Sequence, residues 1–298
     1  MQTADAGDVV PERYIVNFDV LRGESHEIAY LKESFEILKE TGSWIALALS
    51  IREEGQGDEL PRDQAICAGQ LVRMYKITRL VLRQIIDDHG GDHQMALSRE
   101  FLESASTVAY LLDAPSDSGR FLSFLHDSLI QESQLLKTIE GLVKQRGGEV
   151  WPIEERMRRS ALDTFRQAGV DPSEVPSRKN NGWPPAEARI KLLGPAAYTA
   201  YRAGSSAVHG TWSDVLRNHI ESEGQGFVPV FEATEFRPQV LLMMGVLSTV
   251  ILQGYVGVFA PTPAPSIVEA LTDLRERIKA LDAAHEEFLK GVVSDGEA

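Results

Sequence analysis

Apolar side chains recur along nearly the whole chain at steps of three, four and seven residues, the spacing that lines one face of an α-helix. In the first such segment these positions are Ile28, Leu31, Phe35, Leu38 and Ile45. We find no convincing run of the alternating pattern that is typical of a half-buried strand. The spacing therefore predicts helices over about nine segments: 24–52, 61–88, 93–113, 119–146, 152–168, 186–193, 195–217, 237–259 and 266–291.

Glycines and prolines separate these segments, as they commonly do between helices. Residues 171–185 hold four prolines and are expected to form a Pro-rich internal loop, the one seam between subdomains that the sequence offers. Residues 221–230 are rich in glycine and are expected to be irregular. The pattern as a whole predicts an all-α fold, a single multi-helix bundle forming one domain over 1–298, with a flexible N-terminal arm at 1–20.

One apolar segment is long enough to cross a bilayer, since residues 240–260 carry no charged side chain. The same segment contains Ser248, Gln253 and Gly254, and a Pro-Thr-Pro turn without flanking Lys or Arg follows it. A membrane-spanning helix normally has positive flanks. We therefore predict a buried central helix and no membrane span.

The last predicted helix, 266–291, has a narrow apolar seam. Such a seam packs against the helix's own bundle or against a partner chain, so a homodimer is one expectation. The seam consists of Leu271, Leu274, Ile278, Leu281, His285 and Phe288.

The charge balance narrows the classes of partner. The 298 residues include 30 Lys and Arg against 44 Asp and Glu, a formal net charge of −14. An acidic surface of this kind argues against duplex DNA or anionic lipid as the main partner. The one cysteine, Cys67, excludes an internal disulfide and fits a reducing compartment. Because the N-terminus lacks the basic and apolar regions of a secretion signal, we expect a cytoplasmic protein.

Two charged segments have ordinary structural explanations. Residues 87–93 combine Asp and His as a metal site would, but their glycines and carboxylates are also what a turn between two helices needs. Arg73, Lys76, Arg79 and Arg83 form a basic stripe on the second predicted helix, which we interpret as a solvated helix face. We expect neither a metal ion nor a cofactor.

The third predicted helix carries a polar stripe on an otherwise apolar surface, formed by Arg99, Glu103, Ser106 and Tyr110. Arg99 and Glu103 are about one turn apart and can form an ion pair. If the helix is central, these charges need partners, since an unpaired buried charge is costly.

A second polar face lies on the seventh predicted helix. At about 100° per residue, Arg202 and His209 lie roughly 20° apart around that helix and about two turns apart along it. Ser205 and Ser206 lie between them, and Tyr198 lies one turn before Arg202. The face combines a guanidinium that can hold a phosphoryl or carboxylate oxygen with an imidazole that can carry a proton near neutral pH.

The sequence resembles a bacterial all-helical family of unknown function over about residues 60–260. The resemblance rests on the segments SREFLES and AYLL, the loop NGWPP, and the later helix with Leu-Gly, Tyr, Ser and Val-His-Gly. It implies a helical fold and no settled activity.

Arg202 and His209, with six residues between them, are also similar to the Arg-x4–6-His motif of HEPN domains. These helical bundles include metal-independent ribonucleases of toxin and phage-defence systems, in which the motifs of two protomers meet at a dimer interface. The resemblance implies that His209 acts in proton transfer at a ribose 2′-hydroxyl and that Arg202 stabilises the charged phosphorane. The chain departs from that pattern at Ala203, where HEPN ribonucleases usually have Asn, Asp or His.

Two functions from different classes follow. The first is a non-catalytic binding or interaction module, for RNA or a small ligand, whose seventh helix satisfies Arg99 and Glu103 internally. The second is a HEPN-like metal-independent ribonuclease, a toxin or phage-defence effector that uses Arg202 and His209. In either, we expect Glu103 to orient Arg202 or His209, and the small residues Ala203 and Gly204 to allow close approach by another helix or a ligand. The binding residues expected to converge with this pair are Arg99, Glu103, Tyr198, Ser205 and Ser206.

Overall fold

The computed structural model of the protein describes residues 10–87 and 90–296, and this part of the chain contains eleven α-helices and one two-stranded hairpin. The helices are α1 (Phe18–Leu21), α2 (Ile28–Ser50), α3 (Arg62–Ile86), α4 (Gln94–Leu112), α5 (Ser118–Gln145), α6 (Pro152–Ala168), α7 (Ala186–Ile190), α8 (Pro195–His209), α9 (Trp212–Asn218), α10 (Pro238–Phe259) and α11 (Ala264–Gly296). Short 3₁₀ helices span Pro172–Glu174 and Lys191–Leu193. The antiparallel strands are β1 (Ile220–Glu223) and β2 (Gly226–Pro229).

The helical fold is confirmed, but the described residues contain more helices than the nine or so that the sequence predicts. The one-turn helix α1 begins inside the predicted N-terminal arm and ends one residue beyond it. The predicted helix 195–217 is two helices, because Gly210 adopts a left-handed backbone with a φ of 56° and so ends α8. The prediction that residues 221–230 are irregular is wrong, because β1 and β2 pair through their backbones although neither strand has an alternating pattern.

The chain divides into two compact units. The first unit contains α1–α4, α7–α11 and the hairpin, and the second unit is residues 114–185 with α5 and α6. Within the second unit, Leu129, Phe165 and Val170 form a buried apolar cluster.

The predicted Pro-rich loop, 171–185, is the last part of the second unit. The Asn181 side chain donates a hydrogen bond to Asp127 at 2.7 Å, and Trp183 packs edge-on against Phe124 with ring centroids 5.3 Å apart. These contacts give the loop a defined path within its own unit.

In the first unit, α10 is the central helix and packs against α2, α4 and α11. Leu241 and Leu252 are fully buried, and a β-carbon at Gly245 would lie 2.9 Å from Ile278 Cδ1 of α11. Within the described residues, α10 is the one helix long and apolar enough to span a membrane, and 67% of its most apolar window is buried inside the protein. This burial fits the predicted core helix, and the exclusion of a membrane span stays a prediction.

Both ends of the described chain belong to the first unit and pack against each other's segment of it. Residues 1–9 of the predicted arm lie outside the described residues, whereas Arg13 forms an ion pair with Asp273 of α11 at 2.7 Å. The C-terminal packing helix is longer than the predicted 266–291. Five residues of the predicted seam are fully buried within the first unit: Leu271, Leu274, Ile278, Leu281 and His285. The sixth, Phe288, is partly exposed and packs against the Tyr30 ring.

Candidate functional site

α8 carries five of the predicted site residues. Its first residue and the residue that follows its last one are types that favour a helix start and a helix end. Pro195 is the first helical residue, where a missing backbone N–H costs no hydrogen bond. Gly210 follows His209 in the left-handed conformation that ends a helix. His209 is therefore the last residue of α8, and its side chain is exposed.

α8 crosses α4 at the buried Gly204. A β-carbon at Gly204 would lie 2.5 Å from the Met95 carbonyl oxygen and 2.7 Å from Arg99 Cβ, so any other residue would force the two helices apart. The close helix approach predicted at this glycine is thus confirmed. The crossing turns one row of α8 residues, Ser205 and His209 among them, towards Arg99 of α4.

Arg99 links the two helices. Its side chain is 18% exposed, and its Nε donates to Glu103 Oε1 at 3.2 Å. One terminal nitrogen donates to Ser205 Oγ at 3.2 Å and lies 3.4 Å from His209 Nε2. The guanidinium also lies over the Tyr201 ring, 5.1 Å from its centroid. Four predicted site residues therefore meet here, together with Tyr201.

Sequence reasoning missed Tyr201, although a signal was present. Tyr201, Ser205 and His209 follow one another at four-residue steps, which is a single row along a helix surface. Residues in one such row meet the same neighbour, so the row predicts a shared contact with α4.

His209 Nε2 faces a terminal nitrogen of Arg99 at 3.4 Å, and because arginine has only hydrogen-bond donors, any hydrogen bond at this contact uses Nε2 as the acceptor. Glu103 pairs with Arg99 rather than orienting Arg202 or His209, which corrects that expectation.

Tyr198 turns towards α7 instead of α4. Its hydroxyl donates to Glu187 Oε1 at 2.7 Å, and the Lys191 ammonium donates to the same carboxylate at 2.9 Å and lies over the Tyr198 ring. The hydrogen bonds from Lys191 and Tyr198, and then the charges of Lys191 and Arg202, hold the pKa of Glu187 below its ordinary value.

Arg202 and Ser206 lie on the outer side of α8. The Arg202 side chain is exposed and makes no hydrogen bond or ion pair with any residue that the structure describes. Ser206 is partly exposed, and its carbonyl oxygen accepts from the backbone N–H groups of Gly210 and Thr211 at the end of α8. Neither side chain joins the network around Arg99.

Of the three cations Arg99, Lys191 and Arg202, two are paired with a carboxylate and one is not. Arg99 is neutralised by Glu103, and Lys191 is neutralised by Glu187. Arg202 remains as a cation without a directly bound carboxylate in the described part of the chain. Together with the His209 imidazole two turns further on, it can hold an oxyanion such as a phosphate.

Among the residues that the structure describes, no three His, Cys, Asp or Glu side chains converge as metal ligands would. Two members of the run at 87–93, Asp88 and His89, lie outside the described residues.

An exposed pair of aromatic rings follows α8. Trp212 is 60% exposed and Phe227 of β2 is 53% exposed, and their rings meet edge to face with centroids 5.4 Å apart. The pairing depends on the hairpin, so it could not be read from the sequence. Exposed aromatic rings are typical of surfaces that stack nucleic-acid bases.

A family model described as a family of unknown function, DUF5677, matches residues 64–227. The match includes α4, α8 and the aromatic pair. No curated protein and no solved structure shows significant similarity to the chain.

Proposed function

The chain belongs to the DUF5677 family, whose function is unknown, and we propose that its α8 face, formed by Arg202, Ser206 and His209, binds a phosphate group of single-stranded RNA. The observation that carries this proposal is the unmatched charge of Arg202, which is exposed beside two cations that each have a carboxylate partner.

The groups of the α8 face complement a phosphodiester. A guanidinium can donate two parallel hydrogen bonds to phosphate oxygens, and the N–H of an imidazole offers a further donor. Arg99 acts as a positioning residue, because it fixes Ser205 and His209 against α4. The pair formed by Trp212, three residues beyond the end of α8, and Phe227 of β2 supplies rings on which a base can stack.

The net charge of −14 restricts how such a surface can act. General attraction to polyanions is absent, so binding depends on a few local contacts and is expected to be weak and sensitive to salt. This favours single-stranded RNA, whose bases can stack, over duplex DNA.

The test is a fluorescence anisotropy titration with a labelled single-stranded RNA at low salt. We expect Arg202→Ala to weaken binding about tenfold, since one charge-assisted contact is lost, and Trp212→Ala to weaken it by a similar factor. Arg22→Ala, which removes an exposed arginine at the C-terminal cap of α1, is the control and should bind like the wild type. Equal affinity of the Arg202 and Arg22 variants would contradict the proposal.

A second candidate, cleavage of the bound RNA, is favoured by the exposure of both Arg202 and His209 on one helix, as the HEPN resemblance requires. In that reaction His209 removes the proton of a ribose 2′-hydroxyl, and the 2′-oxygen attacks the adjacent phosphorus. The 5′-oxygen leaves with a proton supplied by a second acid, which in a dimer is His209 of another copy. The products are a 2′,3′-cyclic phosphate and a 5′-hydroxyl, with Arg202 stabilising the charged intermediate.

Two substrates distinguish binding from cleavage: a single-stranded RNA and a strand of the same sequence with 2′-deoxyribose at every position. Cleavage through this mechanism requires the 2′-hydroxyl and is abolished by His209→Ala with little change in melting temperature. Intact RNA after incubation with the wild-type protein would contradict the ribonuclease candidate. The binding proposal does not depend on that result, because the anisotropy titration tests it separately.

A further inference from the structure

A groove of about 1600 Å³ runs along α2, between α3 and the first turns of α11. Its volume exceeds the roughly 300–1,000 Å³ of pockets for drug-sized ligands. On α2 its lining extends from Phe35 to Ser50, which is about 22 Å of helix at 1.5 Å per residue. We call this feature the α2–α3 groove. Its length corresponds to about four turns of a second helix.

The floor of the α2–α3 groove is smooth. Gly42, Ala46 and Ser50 follow one another at four-residue steps, so no large side chain of that row fills the floor. Leu80 and Ile86 of α3 line the wall and are 48% and 61% exposed. A row of small residues flanked by exposed apolar side chains suits the apolar face of a docked helix.

The rim of the groove is basic along α3, whereas Glu12 of the N-terminal segment lines it elsewhere. Lys76, Arg79 and Arg83 lie along the exposed side of α3 at steps of three and four residues, and all three line the groove. Arg83 pairs with Asp87, whereas Lys76 and Arg79 have no carboxylate partner among the described residues. The stripe that the sequence suggests is a solvated face therefore borders an apolar groove, in a chain whose net charge is −14.

Two buried donors in the lining are unsatisfied. Trp44 is 5% exposed and Thr78 is fully buried, and neither the Trp44 Nε1–H nor the Thr78 hydroxyl has a partner in the described part of the chain. Buried polar groups are nearly always hydrogen-bonded. These two unsatisfied donors distinguish the part of α2 and α3 that lines the groove from an ordinary helix–helix contact.

We propose that the α2–α3 groove binds an acidic amphipathic helix of a partner protein. The apolar side chains of that helix pack on the small-residue row of α2 and on Leu80 and Ile86. Its Asp or Glu side chains, at steps of three and four residues, pair with Lys76, Arg79 and Arg83. This interaction uses α2 and α3 and does not depend on RNA binding at the α8 face.

The probe is a fluorescein-labelled helical peptide of about 16 residues, four to five turns, with Leu on one face and Glu on its flank. Its control is the same peptide with every Glu replaced by Lys. Two protein variants disrupt the groove: Ala46→Trp fills the exposed floor, and Lys76→Glu with Arg79→Glu reverses the rim charge. The matched control is Arg73→Glu, which lies on α3, pairs with Glu100 and does not line the groove.

We expect saturable binding of the Glu peptide in an anisotropy titration, no binding of the Lys peptide, and loss of binding in Ala46→Trp. The double reversal should weaken the Glu peptide about tenfold or more, since two ion pairs become repulsive, and Arg73→Glu should bind like the wild type. Circular dichroism on each variant checks that it is folded.

Three results would overturn the proposal. The first is no saturable binding of the Glu peptide to the folded wild type. The second is equal binding of the Glu and Lys peptides. The third is self-association of the wild type in sedimentation that Ala46→Trp abolishes while the Glu peptide fails to compete, which would make the occupant a second copy of this chain.

Discussion

At Gly204 the backbone of α8 lies so close to α4 that a single methyl group cannot be added without movement. The nearest atom to a β-carbon there is the Met95 carbonyl oxygen at 2.5 Å, and a backbone atom cannot rotate away. We expect Gly204→Ala to lower the free energy of unfolding by about 1–3 kcal/mol, the usual cost of overpacking. Urea denaturation measures this change.

The matched control for this prediction is Gly69→Ala in the middle of α3. No atom lies within 4 Å of a β-carbon at Gly69, so alanine should stabilise the helix by about 0.5–1 kcal/mol. If Gly204→Ala were as stable as Gly69→Ala, the result would contradict the close approach of α4 and α8 at Gly204.

Glu154 in the second unit gives a prediction about pH. Hydrogen bonds from Arg146 and from the Trp151 backbone N–H hold the pKa of Glu154 below its ordinary value of 4.5. A carboxyl whose pKa is lowered on folding stabilises the protein at pH values above the unfolded pKa. That stabilisation is lost as the pH falls below 4.5 and through the lowered pKa.

We therefore expect Glu154→Gln to melt at a lower temperature than the wild type near neutral pH, with the difference shrinking below pH 4.5. Differential scanning calorimetry across this range measures it. Glu149→Gln, an exposed change in the neighbouring loop, controls for the loss of one negative charge. A difference between wild type and Glu154→Gln that stays constant down to about pH 3 would contradict the assignment.

At the scale of elements, α10 has one face that tolerates a charge and others that do not. Leu252 is fully buried, whereas Val250, two residues earlier, is 45% exposed. Leu252→Asp should unfold the protein, because neither water nor a polar partner is available to the carboxylate. Val250→Asp should change the free energy of unfolding by only about 0.5 kcal/mol. Circular dichroism and urea titration of the purified variants compare the two, and equal effects would contradict this orientation of α10.

Sequence periodicity predicted most helices but not where the seventh one ends. Val208, Val215 and Leu216 continue an apolar pattern across Gly210. The spacing alone therefore predicts one helix that runs to about residue 217. The positive φ of Gly210 ends α8 there, and a conformation of this kind leaves no periodic trace. The hairpin was missed for a related reason: β1 and β2 are short and mostly exposed, and backbone pairing holds them.

At the scale of the whole molecule, the candidate site could be predicted in part. Helical geometry places Arg202 and His209 close together around α8, and the need of Arg99 for partners pointed correctly to the contact between α4 and α8. The contact itself depends on Gly204, which turns Ser205 and His209 towards Arg99 and leaves Arg202 facing outwards. The spacing of residues in α8 does not predict which of its side chains face α4, because the contact with α4 determines how α8 is rotated about its axis.

The central claim, that the α8 face holds a phosphate of RNA, is tested most directly by NMR of the histidine side chains during titration with a short single-stranded RNA. We predict that the His209 ring signals shift and saturate, that the exposed His26 before α2 does not shift, and that Arg202→Ala abolishes the His209 shift while the protein stays folded. His209 signals that remain unchanged at saturating RNA, or that shift equally in Arg202→Ala, would contradict the account.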